Sequence, residues 1–131
     1  MLEHVLIGYY QGLALFLLRV VLGITFVVHG FPKIANLART RKNFASMGVP
    51  VPALASLYAA VAESLGGMLM IVGFYTGWAG IALIVDMIGA MIFVQWREPF
   101  KGGWEVNLLL LFMAVAILLA GPGDYRLELY I

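Results

Sequence analysis

Four long apolar stretches make up most of this chain, and each carries at least one ionisable residue. Arg19 and His29 lie in the first, Glu63 in the second, Asp86 in the third and Glu105 at the head of the fourth. An ionised side chain at bilayer depth costs at least ~2.5–3.5 kcal/mol, so such residues face a protein interior or a water-filled cavity. This combination restricts the chain to a membrane protein with a polar interior.

The rest of the composition agrees. Hydrophobic residues make up 63% of the chain and charged residues 11%, with a mean hydropathy of +1.00. Soluble domains run nearer ~45–50% apolar and ~25% charged. The 131 residues have room for a single transmembrane domain of about four spans of ~20 residues, with short loops. A net charge of +1 with no extended basic face argues against a nucleic-acid partner. Cysteine is absent, which excludes disulfides, thiolate metal sites and an internal CxxC centre. Any electrons must then travel on a bound small molecule or a partner. Met1 to Gln11 lacks the basic start of a secretory signal, so the first stretch reads as a retained span.

The spans are expected at residues 12–34, 52–73, 77–95 and 104–120. Each can cross ~30 Å of hydrocarbon as a helix, and unbroken apolar runs of this length are helical because lipid leaves no other way to satisfy the backbone. The fold class is all-α, an integral membrane four-helix bundle. Pro50 and Pro52 mark the start of the second helix, and Gly73 to Gly77 allows a tight turn to an antiparallel third. Pro99, Gly102 and Gly103 break the chain before the fourth, which Gly121, Pro122 and Gly123 end. Lys33, Arg39, Arg41, Lys42, Arg97 and Lys101 lie in the first and third loops, against Arg126 opposite. The positive-inside rule therefore places those loops in the cytoplasm and both termini outside. In the first loop, Leu37, Phe44 and Met47 can share a helical face with Arg39, Arg41 and Lys42 elsewhere. That pattern is either an interfacial amphipathic helix or a solvated connection. The small-xxx-small pairs Ala55/Ala59, Ala60/Ser64 and Ala62/Gly66 allow close helix approach, inside the bundle or between copies in a homo-oligomer.

Counting residues inward sorts the polar groups by depth. Arg19 falls ~10 Å, Glu63 ~15 Å and Asp86 ~13 Å into their spans, so the three are expected to meet at the midplane. One acid would pair with Arg19 and the other would hold a proton part of the time, or the pair would only fix helix register. A second set is expected at the cytoplasmic end: His29 with Lys33 one turn on, Gln95 and Trp96 closing the third helix, and Trp104, Glu105 and Asn107 opening the fourth. Glu105 also gains from the helix dipole. His29 can hydrogen-bond, exchange a proton near neutral pH or bind metal, but one histidine with scattered carboxylates is not a metal ligand set. His29, Glu63 and Glu105 are the candidate proton relay. Arg19, Lys33, Asp86, Gln95, Trp104 and Asn107 are the candidate binding residues.

Taken in order, several motifs resemble the DoxX family. Arg19-Val-Val-Leu-Gly-Ile-Thr-Phe-Val-Val-His29-Gly30-Phe-Pro-Lys33 resembles its first-helix signature, and Phe44 with Gly48-Val-Pro50 its first-loop motif. Ala62-Glu63-Ser-Leu-Gly66-Gly67, Gly102-Gly103-Trp104-Glu105 and Gly121-Pro122-Gly123 resemble its second-helix, fourth-helix and closing motifs. Asp86 and the segment from Gln95 match no family motif. The resemblance implies a bacterial or archaeal plasma-membrane protein tied to quinone-linked redox or redox-stress systems. It points to a quinone or other small apolar redox molecule as the ligand and a soluble redox enzyme as a partner beside the lipid bilayer; with no cysteine or evident prosthetic group, no covalently bound cofactor is expected. A small proton-coupled transporter and a non-catalytic membrane anchor remain alternatives.

Overall fold

The computed structural model describes residues 1–126. Five helices follow one another: α1 (Leu2–Ala35), α2 (Leu37–Ser46), α3 (Pro52–Val72), α4 (Thr76–Phe93) and α5 (Glu105–Ala120). A 3₁₀ turn at Gln95–Arg97 and an irregular turn at Phe100–Trp104 join α4 to α5. Four segments are long and apolar enough to cross a membrane: α1, α3, α4 and Phe100–Ala120. The fold is all-α and the four expected spans are present.

Two boundaries carry information. α1 begins at Leu2, ten residues before the expected start of the span, because nothing between Leu2 and Gln11 breaks a helix. Met1 to Gln11 are all exposed, and burial begins at Gly12, which packs against Asp124. The first loop contains a true helix, α2. Its start is capped by the Asn36 side chain, which accepts from the Arg39 backbone N–H at 3.1 Å. Thr40, the buried residue of α2, donates to the carbonyls of Asn36 and Lys33 and so ties α2 to the end of α1. Arg39, Arg41 and Lys42 are exposed, while Phe44 turns inward.

The contact between α1 and α3 organises the bundle. A Cβ on Gly23 would lie 2.5 Å from the Gly67 carbonyl, and one on Gly67 would lie 2.7 Å from the Gly23 carbonyl. Backbone meets backbone there, which only glycine permits. Gly30 presses in the same way against Glu63 and Ser64, where a Cβ would come within 2.6 Å. The helices are antiparallel and staggered. About three turns of α3 precede Glu63, against little more than one turn of α1 beyond Gly30. The first turns of α3 therefore pack beside α2. The apolar core lies between α1, α3, α4 and α5, on Leu22, Phe26, Met70, Leu83, Ala114 and Ile117.

The candidate intramembrane site

The stagger decides which charges meet. Glu63 is buried on α3 against the last turns of α1, and Lys33 lies one turn beyond Gly30. The Lys33 Nζ donates to both Glu63 carboxylate oxygens at 2.7 Å. Asp86, on α4, is buried within electrostatic and hydrogen-bonding reach of Glu63 and in the field of Lys33, and its Oδ2 has no hydrogen-bond partner among the described residues. One ammonium and two carboxyls from three helices thus form a single cluster.

Arg19 does not join it, contrary to the midplane grouping expected from depth counting. It lies about 16 Å along α1 from Gly30, at the opposite end of the bundle. Its Nε donates to the Met70 carbonyl at 2.6 Å and its Nη1 to the Pro122 carbonyl at 2.6 Å. Its Nη2 donates to the Tyr125 carbonyl. Carbonyls in the last turn of a helix lack intrahelical partners and attract cations, and Arg19 satisfies one on α3 together with two on the segment after α5. Gly73, with φ +73°, makes room for this: a Cβ there would lie 2.9 Å from the guanidinium carbon and 2.8 Å from the Arg126 Cα. Arg19 is a structural staple. Depth counting misplaced it because it took the span ends as flush, whereas α3 overshoots α1.

Two cavities flank the Lys33–Glu63 pair, and both residues line each of them. The larger, about 460 Å³, lies between α3, α4 and the first loop and has Asp86 on its wall. Its size is within the ~300–1,000 Å³ typical of small-molecule sites. Its other walls are almost entirely apolar, with Phe44, Val49 and Phe93 among them. Tyr58 stands at its edge, and its hydroxyl donates to the Ala82 carbonyl at 2.7 Å, tying α3 to α4. The smaller cavity, about 260 Å³, is more polar, bordered by His29, Gln95 and Asn107. The Asn107 amide donates to Gln95 Oε1 at 2.5 Å. His29 is exposed and makes no hydrogen bond among the described residues.

The remaining sequence candidates lie apart. Glu105 Oε1 accepts from the Gly102 N–H at 2.8 Å, closing its own turn, and Glu105 borders neither cavity. Trp104 packs edge-to-face on Phe100 at 4.7 Å, also away from the cavities. The structure thus separates Glu105 from His29 and Lys33, with which sequence depth had grouped it.

Sequence reasoning missed Tyr58 and the part played by small residues. Ala55, Ala59 and Glu63 follow one another at i+4, one face of a helix, and Gly89 lies one turn beyond Asp86 on α4. Small residues in line with a buried acid were the available signal for a cavity.

These features define a small four-span membrane protein with an apolar intramembrane pocket and a three-charge cluster on its wall. The chain belongs to the DoxX family, whose model matches residues 14–96. It is 36% identical over 115 residues to the "Putative oxidoreductase CatD" of Bacillus subtilis (strain 168), covering 88% of this chain and 84% of that protein. It is 29% identical over 131 residues to the inner membrane protein YphA of Escherichia coli (strain K12), covering 92% of each. An uncharacterized membrane protein of Mycobacterium tuberculosis (strain ATCC 25618 / H37Rv) is 25% identical over 127 residues, covering 85% of this chain and 77% of that one. No solved structure matches the chain.

Proposed function

We propose that this protein is the membrane subunit of a quinone-linked redox system and takes a quinone into the larger cavity. The observation that carries this reading is Asp86, a buried carboxyl with an unpartnered oxygen on an otherwise apolar wall, beside the Lys33–Glu63 pair. A buried polar atom left without a partner costs ~1–3 kcal/mol, and a ligand with complementary polar atoms removes that cost. A quinone suits the lining, with an apolar ring against Phe44 and Val49 and carbonyl oxygens that accept from the Lys33 ammonium or a protonated Asp86.

Reducing a quinone to a hydroquinone takes two electrons and two protons. In this reading a partner protein or soluble reductant supplies the electrons, and the cluster handles the protons. With both acids ionised the cluster carries net charge −1, and one added proton neutralises it. The state with one shared proton is therefore suited both to giving up a proton and to regaining one. The smaller cavity, with His29, leads from the Lys33–Glu63 pair toward the end of the bundle that carries the basic loops. Protons would reach the cluster from that side, the cytoplasmic one in this reading, and Glu105 takes no part. The oxidoreductase name of the Bacillus relative supports a redox role, and the inner-membrane relative supports a plasma-membrane location.

The test is ligand stabilisation of purified protein. A quinone analogue is expected to raise Tm in several detergents, and Asp86→Asn to reduce that rise without lowering the Tm of the free protein. The absence of any shift at saturating analogue in all detergents would rule the reading out.

A further inference from the structure

The larger cavity opens beside α3 and α4, two of the membrane-spanning helices. Leu54, Val85 and Phe93 line it, yet they are also 66%, 53% and 47% exposed on the outer faces of α3 and α4. Residues that line the cavity and are also this exposed mark where it opens, and these three lie on the helices α3 and α4. Small residues make the gap: Ala55 and Ala59 on α3 stand opposite Gly89 on α4. A Cβ on Gly89 would meet nothing within 4 Å, so that position is open space. At the loop end the cavity is lined by Phe44 and the buried Val49 together with the exposed Pro50 and Val51.

We infer that the ligand is a membrane-dissolved molecule with a hydrocarbon tail. It enters sideways between α3 and α4, brings a hydrogen-bond-accepting ring to Lys33 and Asp86, and leaves its tail in the cleft beside Gly89. This rests on the quinone reading above and narrows it to the tailed, lipid-resident class. The chemistry of the route supports it. The three charged groups lie at the inner end of the cavity, and the apolar side chains Leu54, Val85 and Phe93 lie at its lipid-facing edge. A tail lying in that edge exchanges lipid contacts for protein contacts, so selectivity comes from the shape of the cleft and not from the hydrophobic effect.

The experiment compares two probes on the whole chain in lipid nanodiscs, a dimethoxy-methyl-benzoquinone with a ten-carbon chain and the same ring without it. Affinities are expressed per mole fraction in the bilayer, so that partitioning cancels. Gly89→Leu fills the mouth and removes a flexible glycine from a helix interior, and unchanged helicity and elution confirm its fold. The tailed probe should lose at least tenfold in affinity on Gly89→Leu, while the tailless ring changes less than twofold. An equal loss for both probes, or no loss for the tailed one, overturns lateral entry of a tailed ligand. Equal responses are also the result expected if only a bulk lipid acyl chain fills the mouth. Failure of both probes to bind the parent protein overturns the quinone reading itself, and this inference with it.

Discussion

Removing the Lys33 charge should be the most damaging single change in the cluster. The Nζ–Oε distance is 2.7 Å, and the side chains are 29% exposed for Lys33 and 5% for Glu63. At that separation and an effective dielectric of ~20 the Coulombic attraction is about 6 kcal/mol, most of it offset by desolvation of the two ions. Lys33→Met leaves Glu63 buried beside Asp86 with no cation between them. Breaking a buried pair in this way costs ~3–5 kcal/mol. Glu63→Gln is milder, about 1–2 kcal/mol, because Lys33 is partly exposed and keeps the Asp86 carboxyl nearby. The double variant Lys33→Met/Glu63→Gln removes both charges and should be more stable than Lys33→Met alone, giving a coupling energy of about 2 kcal/mol. Unfolding in mixed micelles, followed by far-ultraviolet circular dichroism, measures all four proteins. A coupling below about 0.5 kcal/mol, the level of independent sites, would show that the pair is not the energetic centre of the cluster.

Other consequences can be checked with the same assay. Arg19→Lys should lose about 2 kcal/mol, because one ammonium cannot span three carbonyls as the guanidinium does, and the quinone-induced Tm shift should be unchanged. Gly67→Ala should destabilise by ~1–3 kcal/mol through overpacking against Gly23 and Val27; equal stability would mean that α1 and α3 can move apart freely. Val51→Gly should raise stability by about 1 kcal/mol, since a β-branched residue at φ +46° is strained. A fall in stability would show that the Val51 side chain matters more than its backbone.

The helices were legible in the sequence because lipid demands long apolar runs, and their ends because Pro52, Gly73 and Gly121 punctuate them. The early start of α1 was hidden, since Glu3, His4 and Gln11 make Leu2 to Gln11 far less apolar than the span, although nothing there stops a helix. Which charges pair was hidden for a different reason. The pairing depends on a sliding register between α1 and α3, set by the contact of Gly23 with Gly67 and of Gly30 with Glu63. A sequence shows these glycines but not which of them meet. Arg19 was misread because its partners are backbone carbonyls, which no residue type advertises. The Lys33–Glu63–Asp86 cluster and its cavity could have been anticipated in part from Ala55, Ala59 and Glu63 on one face. The separation of Glu105 from His29 could not, because it follows from the local turn at Gly102.

Arg19 also sets a constraint in time. Two of its three carbonyl partners, on Pro122 and Tyr125, are 103 and 106 residues downstream. At ~5–20 residues per second of synthesis, the ribosome has made the first helix for roughly 5–20 seconds before those carbonyls exist. For the later part of that interval a guanidinium within the first helix has only one of its three carbonyl partners, that of Met70. The polar contacts that hold α1 to the end of the bundle are therefore completed last, when Pro122 and Tyr125 have been made.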